Sequence, residues 1–293
     1  MHDFDRKFIE TILSLAEEKD NSTENNPIFS NKVLATLFFE PSTRTKLSFQ
    51  TAASRLGMQY IDFLTEMSSL KKGESFTDTI KVVAGYADVL VIRHPNEGAA
   101  KLASVICNKP IINAGDGSNQ HPTQTFLDLY TIKKSQGRLN DLYIAMSGDL
   151  KYGRTVHSLA TALAYFGARL YFIAPEHLQM PKEILDYLDK KGIKYSLHNR
   201  IEDVIDKVDI LYCTRIQKER FVDIQDFVKI KDIFVLKPEM LKNVKPNLRI
   251  MHPLPRINEI TTDVDKTEYA QYFEQAHNGV PVRMALLEYV MTH

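Results

Sequence analysis

The chain has 293 residues, 44% of them hydrophobic, and its 37 Lys and Arg balance 37 Asp and Glu. That length and apolar share suit about two globular domains, each with a sizeable core. The balance of charge excludes a generally basic nucleic-acid binder, and no apolar run approaches the ~20 residues of a membrane span. In chain order, the periodicity predicts a helix over Phe4–Glu17, a polar loop over Asn21–Asn26 and a strand over Val33–Phe39. Thr45–Leu56 reads as a helix with Leu47, Ala52, Ala53 and Leu56 on one face, stopped by Gly57. A loop with Lys71-Lys72-Gly73-Glu74 leads into a helical run, Phe76–Gly85. Strand Ala87–Ile92, helix Ala99–Ile106, strand Pro110–Asn113 and helix Thr123–Lys134 follow.

Turn residues Ser135-Gln136-Gly137 then mark a domain boundary. Beyond it come strand Leu142–Met146, helix Thr155–Phe166, strand Leu170–Ile173, helix Pro181–Lys191 and strands Asp209–Thr214 and Leu248–Met251. In the first of those helices Val156, Leu159, Ala160 and Leu163 share a face. A last helix, Val282–Val290, has no strand after it and is expected to pack back on the first domain. This alternation predicts an α/β fold of mainly parallel sheets flanked by helices; the expected architecture is two such domains, with the active site in the cleft between them. The expected domains are 1–135 plus 277–293, and 136–276. The two cysteines, Cys107 and Cys213, form no C-x-x-C pair, which speaks against zinc or a disulfide framework and suits core thiols in a reducing cytoplasm. The start, Met1-His2-Asp3-Phe4-Asp5, carries no basic-then-apolar signal peptide.

In open α/β sheets, ligands bind beyond the C-terminal ends of the strands. After Val33–Phe39 comes Ser42-Thr43-Arg44-Thr45, three hydroxyls and a guanidinium at a helix start, where free N–H groups and the helix dipole favour an anion such as phosphate. The same residues would also serve as simple helix caps and a solvated charge. There is no Walker A pattern, and Gly148 and Gly153 are spaced G-x-x-x-x-G rather than G-x-G-x-x-G. The other strand ends carry Arg93-His94-Pro95, the run Ala114 to Gln124 with His121, the run Ser147 to Arg154, Arg215 to Arg220, and His252-Pro253-Leu254-Pro255-Arg256. One such end is ordinary; six suggest a cleft for one or more anionic substrates. Singly, Arg93 would fit a structural ion pair, His121 a satisfied core histidine, and Arg215 with Arg220 a solvated face. No carboxylate pair, Ser-His-Asp set or metal cluster stands out, so the implied chemistry is positioning and charge stabilisation without a cofactor or metal.

These residues resemble one family. F-F-E-P-S-T-R-T-K-L-S-F, R-H-P, H-P-T-Q, G-D-L-K-Y-G-R-T-V-H-S-L, T-R-I-Q-K-E-R and H-P-L-P-R look like the catalytic chains of aspartate carbamoyltransferases, in the family's order and over nearly the whole chain. An ornithine enzyme would be expected to show H-C-L-P and a tryptophan-bearing segment; this chain has Pro253 there and no tryptophan. The resemblance implies carbamoyl transfer from carbamoyl phosphate to the α-amine of L-aspartate, an early step of pyrimidine synthesis. It implies that Ser42, Thr43, Arg44, Thr45 and Arg93 hold the phosphate. Thr45, Arg93 and His121 would point donors at the carbamoyl oxygen. Gln124 and main-chain oxygens near Leu254 would bind the carbamoyl amide, with a cis peptide before Pro255. Arg154, Arg215 and Gln217 would hold the aspartate carboxylates, and Glu40 with Arg154 or Arg220 would help hold a closed form. It also implies a homotrimer with shared sites, in which Ser68 and Lys72 reach the adjacent subunit's site and Lys72 contacts both substrates. Separate regulatory chains are a possible further partner. An ornithine enzyme and a catalytically silent scaffold are the competing readings; Arg215 and Gln217 argue against the first and the intact set of polar residues against the second.

Overall fold

The computed structural model describes residues 4–22, 27–63, 73–216 and 234–293. Ser68, Lys72, Gln217 and Arg220 lie outside them. The described chain forms two compact units. One comprises Phe4–Tyr130 and Asn278–His293, the other Thr131–His277.

In the first unit the elements are α1 (Arg6–Asn21), β1 (Val33–Phe38), α2 (Thr43–Arg55), β2 (Gln59–Phe63), α3 (Phe76–Ala84), β3 (Val89–His94), α4 (Ala99–Ile106), β4 (Ile111–Asp116) and α5 (Pro122–Gln136), whose last turns belong to the second unit. The sheet order is β2-β1-β3-β4, with every pair parallel. β1 and β3 are central and apolar almost throughout because both faces are covered. The second unit holds β5 (Tyr143–Ser147), α6 (Arg154–Leu163), β6 (Arg169–Ile173), α7 (Lys182–Lys190), β7 (Tyr195–His198), β8 (Ile210–Cys213), β9 (Arg249–Met251) and α8 (Tyr272–His277). Its sheet, β7-β6-β5-β8-β9, is also wholly parallel. The last helix, α9 (Gly279–Thr292), packs against α1 and α2 in the first unit, as expected. There Phe8 meets Tyr289 edge-on at 5.0 Å, and Lys19 pairs with Glu288 at 2.5 Å.

Three details differ from the sequence reading. Leu47 is 55% exposed; the buried face of α2 is Thr45, Phe49, Ala52 and Ala53, followed by Leu56. Strands β3 and β4 run further than their apolar cores, because Arg93, His94 and Asp116 still sit in the ladder. Strands β2 and β7 and helix α8 were not expected at all. Gly57 does stop α2: its φ of +79° is left-handed, and a Cβ there would come within 2.6 Å of Pro27. Among the described residues no helix is long and apolar enough to cross a membrane, no His, Cys, Asp and Glu cluster could hold a metal, and both cysteines are free.

Candidate active site

In the first unit, three adjacent strands deliver the polar residues. β1 ends at Phe38 and the chain turns through Glu40 and Pro41 into α2. Ser42 is the N-cap of α2 in an extended conformation, yet its side chain makes no capping hydrogen bond. The capping reading is therefore not realised by Ser42, and the N–H groups of the first turn keep their need for an acceptor. Thr43 and Arg44 are exposed, whereas Thr45 is 6% exposed.

Beside this turn, the end of β3 presents Arg93. Its Nη2 pairs with Glu40 Oε1 at 2.6 Å, and its Nη1 donates to the Ala114 carbonyl and to His121 Nε2, each at 3.3 Å. A guanidinium can only donate, so His121 Nε2 must accept and the ring proton sits on Nδ1. Arg93 and His121, which the sequence placed on separate strand ends, are thus in contact. His94 next door has a structural task. Its ring packs on Phe39 at 4.9 Å and Phe76 at 5.1 Å, and its Nδ1 accepts from the Asn96 N–H at 2.9 Å. Burial holds the His94 imidazole below its ordinary pKa, so the ring stays neutral at pH 7.

The loop after β4 is tied by Asp116, whose carboxylate accepts from Gly98 N, Asn113 Nδ2, Asn119 Nδ2 and Gln120 N at 2.9–3.2 Å. That clamp places His121 just before α5, where its carbonyl accepts from Gln124 N and Thr125 N. Gln124, 8% exposed, donates from Nε2 to Asp128 Oδ1 at 2.9 Å one turn later. Thr123 Oγ1 is buried with no hydrogen-bond partner among the described residues.

In the second unit, β5, β8 and β9 are neighbours, and their C-terminal ends carry the other candidates. Gly148 follows β5 at φ +121°, and a Cβ there would lie 2.2 Å from the Thr214 carbonyl. Only glycine lets these two strand ends approach so closely. Arg154 opens α6 and Arg215 follows Thr214; both are half-buried. His157 on α6 donates from Nε2 to the Leu150 carbonyl at 2.7 Å and so closes the loop.

After β9 the chain turns sharply. Leu254 has a left-handed φ of +53°, and the Leu254–Pro255 bond is cis. Three side chains hold this turn. The Leu254 N–H donates to His252 Nδ1 at 2.7 Å, and the ring's Nε2–H donates to Glu259 Oε1 at 2.7 Å. Glu259 Oε2 accepts from the Ile257 and Asn258 N–H groups at 3.2 and 3.1 Å, and Gln275 on α8 accepts from His252 N at 2.8 Å. A left-handed φ is costly for leucine, by about 1–3 kcal/mol, and survives only where the surroundings impose it. Arg256 is held by Asp265 and by the Tyr272 hydroxyl, and its guanidinium stacks on Tyr272 at 5.1 Å.

Sequence reasoning missed Asp128, Arg283 and Glu259. Asp128 and Arg283 did leave a signal, since each is a lone charge inside an apolar helical run: Phe126-Leu127-Asp128-Leu129 and Val282-Arg283-Met284-Ala285.

Two parallel-sheet units that carry arginines and other hydrogen-bond donors at their strand ends suit a group transferase acting on anionic substrates. Family models agree with that class and narrow it. The carbamoyl-phosphate-binding domain of aspartate/ornithine carbamoyltransferases matches residues 1–134, and the Asp/Orn-binding domain matches residues 140–290. The chain belongs to the aspartate/ornithine carbamoyltransferase family. Within it, the chain is 55% identical over 291 residues to the aspartate carbamoyltransferase catalytic subunit of Thermococcus kodakarensis, covering 98% of this chain and 94% of the relative. The catalytic subunit of M. jannaschii aspartate transcarbamoylase superposes with a TM-score of 0.95 at 49% identity, covering 100% of this chain and 96% of that one. The Trypanosoma cruzi aspartate transcarbamoylase, in complex with carbamoyl phosphate and aspartate, gives 0.91 at 37% identity, covering 98% and 94%.

Proposed function

We propose that this chain transfers the carbamoyl group from carbamoyl phosphate to the α-amine of L-aspartate, giving N-carbamoyl-L-aspartate and phosphate for de novo pyrimidine synthesis. The observation that carries the reading most is Arg93, bridging Glu40 and His121 beside the uncapped start of α2. Phosphate sits on the α2 N–H groups with Ser42, Thr43, Arg44, Thr45 and Arg93. The neutral amine attacks the carbamoyl carbon, and charge grows on its oxygen. Thr45, Arg93 and His121 supply donors for that charge, His121 from its protonated ring nitrogen. Each such donor is typically worth about 2.7–4 kcal/mol in a site that excludes water. Gln124 and the main chain near Leu254 accept from the carbamoyl NH2. Pro255 follows that turn and fixes its exit. Phosphate leaves with the carbamoyl C–O bond and can take the amine's proton, so no separate base is required. Arg154, Arg215 and Gln217 pair with the carboxylates of aspartate, a task for which the bidentate guanidinium is suited.

On this reading 1–135 plus 277–293 is the carbamoyl-phosphate-binding domain and 136–276 the aspartate-binding domain. The protein works in the cytoplasm, without a cofactor, as a homotrimer to which regulatory chains can add. An amine panel with carbamoyl phosphate, followed by product mass, tests the reaction: carbamoyl-aspartate from aspartate alone is expected. Citrulline from ornithine would overturn the assignment of the second domain while leaving the phosphate site standing. Shared sites have their own test. Ser68 and Lys72 would come from the adjacent subunit, so mixing inactive Arg44→Ala and Lys72→Ala chains is expected to restore about a third of the sites in a statistical hybrid trimer. No recovered activity in verified hybrids would rule sharing out.

A further inference from the structure

Asp128 and Arg283 are charged, lie inside apolar runs, and take no part in the chemistry above. Asp128 is fully buried and Arg283 is 3% exposed. A buried charge costs several kcal/mol unless something compensates it, so a pair of them beneath a proposed substrate contact calls for a reason.

The reason lies in Gln124. Its Nε2 donates to Asp128 Oδ1 at 2.9 Å, one helical turn along α5. A carboxamide has one end that donates and one that accepts, and the two ends have nearly the same shape. A neutral neighbour such as asparagine would accept either orientation. An ionised carboxylate offers no proton, so it admits only the NH2 end. Gln124 Oε1 is thereby committed to accepting a hydrogen bond from elsewhere.

We infer that Asp128 is a positioning and specificity-determining residue, which locks the Gln124 carboxamide with its oxygen presented to the carbamoyl NH2 and so selects carbamoyl over acetyl phosphate. The inference rests on the proposed contact between Gln124 and the carbamoyl amide. Acetyl phosphate has the same phosphate and carbonyl but a methyl group where carbamoyl phosphate has NH2. A locked acceptor rewards the NH2 and is left unpaired by the methyl. A site built to hydrogen-bond one group rejects the analogue lacking it far more strongly than a pocket that only fits its shape.

Arg283 keeps the lock in its working state. Were Asp128 protonated, it could donate, and the carboxamide could turn. The Arg283 guanidinium stacks at 5.1 Å over Phe49. Gly279 makes room for it, since a Cβ there would stand 2.2 Å from Nη1. Burial pushes the Arg283 pKa down to about 9, and the nearby Asp128 carboxylate opposes that fall. The guanidinium therefore remains charged at pH 7 and favours an ionised Asp128.

The test compares two quantities in the intact protein: KM for carbamoyl phosphate, and the inhibition constant of acetyl phosphate against it. In Asp128→Asn, KM for carbamoyl phosphate is expected to rise by about twofold or more, the share lost when the carboxamide is free to turn, while acetyl phosphate inhibition stays unchanged. In a Gln124→Met background the same Asp128 change is expected to leave the ratio of the two constants unaltered, since no carboxamide remains to orient. Equal weakening of both ligands, or the same ratio change with and without Gln124, would overturn the inference and leave Asp128 a packing residue. If Gln124→Met by itself left the ratio unchanged, the contact between Gln124 and the carbamoyl amide would fall, and the inference with it. Should Asp128→Asn not fold, Asp128→Glu keeps the charge opposite Arg283 but displaces the carboxylate by one methylene. It carries the same expectation for the ratio.

Discussion

Arg93→Ala is expected to lower kcat/KM for carbamoyl transfer by about a thousandfold or more, because on the proposed assignment one side chain serves two ends of the substrate. Removing a single oxyanion donor typically costs 10²–10³ in rate, and Arg93 is also assigned to the leaving phosphate. Its three contacts explain why Lys would not substitute. Nη2 faces Glu40 at 2.6 Å while Nη1 faces Ala114 and His121 at 3.3 Å, so the planar fork is held by anchors in two directions. An ammonium is a point charge and cannot span those anchors and still reach a ligand. Arg93→Lys should therefore lose nearly as much as Arg93→Ala. Steady-state kinetics with both substrates reads the whole effect, and calorimetric titration with inorganic phosphate reads the phosphate share alone. A loss below tenfold in kcat/KM would remove Arg93 from the chemistry and leave it a structural partner of Glu40.

Glu259→Ala should have the largest effect on folding. Its carboxylate accepts from His252 Nε2 and from two main-chain N–H groups, in surroundings where His252 and Glu259 are 2% and 6% exposed. Alanine leaves three donors without this acceptor. Of these only the His252 ring N–H is buried, because Ile257 and Asn258 are exposed and their N–H groups can turn to water; at about 1–3 kcal/mol for a buried unsatisfied group, a loss of roughly 2 kcal/mol is expected, or a fall in Tm of roughly 4–8 °C at about 2–4 °C per kcal/mol. The Leu254 turn depends on the same chain of hydrogen bonds, so, if its main chain meets the carbamoyl amide as proposed, the surviving protein should also bind carbamoyl phosphate more weakly. Acid sensitivity follows as well. Burial works to raise the Glu259 pKa, but the hydrogen bonds from His252 and the main chain outweigh it and hold the carboxyl below its ordinary value. The folded state then binds fewer protons here than the unfolded one. This contribution to stability is complete above the unfolded pKa, near 4.3, and fades as the pH falls through the lower folded value. Glu259→Gln should flatten the fall in Tm below about pH 4. An unchanged acid limb in that variant would show that other carboxylates govern it.

The sequence disclosed the central strands and the edge strands β4 and β9, and hid the other two edges, β2 and β7, for a physical reason. β1, β3, β5 and β8 are paired on both sides and buried on both faces, so they read as unbroken apolar runs. β2, with Gln59 to Asp62 all exposed, and β7, half-buried at best, each have one neighbour and no such run. The motif residues of the candidate site were legible because strand ends are where this architecture exposes polar groups. Their supports were not. That Arg93 touches His121, 28 residues further on, depends on β3 and β4 being neighbours, which no local pattern states. Glu259 gains its meaning only once the turn at Leu254 folds back on it.

The first unit is discontinuous in the chain: α9 arrives only after the entire second unit has been traversed. During synthesis from the N-terminus, α1 and α2 therefore wait on the ribosome with the faces that α9 covers still bare. The contiguous second unit can close before them. Arg283, which sits on α9, also reaches Asp128 last. A nascent chain therefore lacks the proposed Asp128 lock until the stretch carrying α9 has emerged.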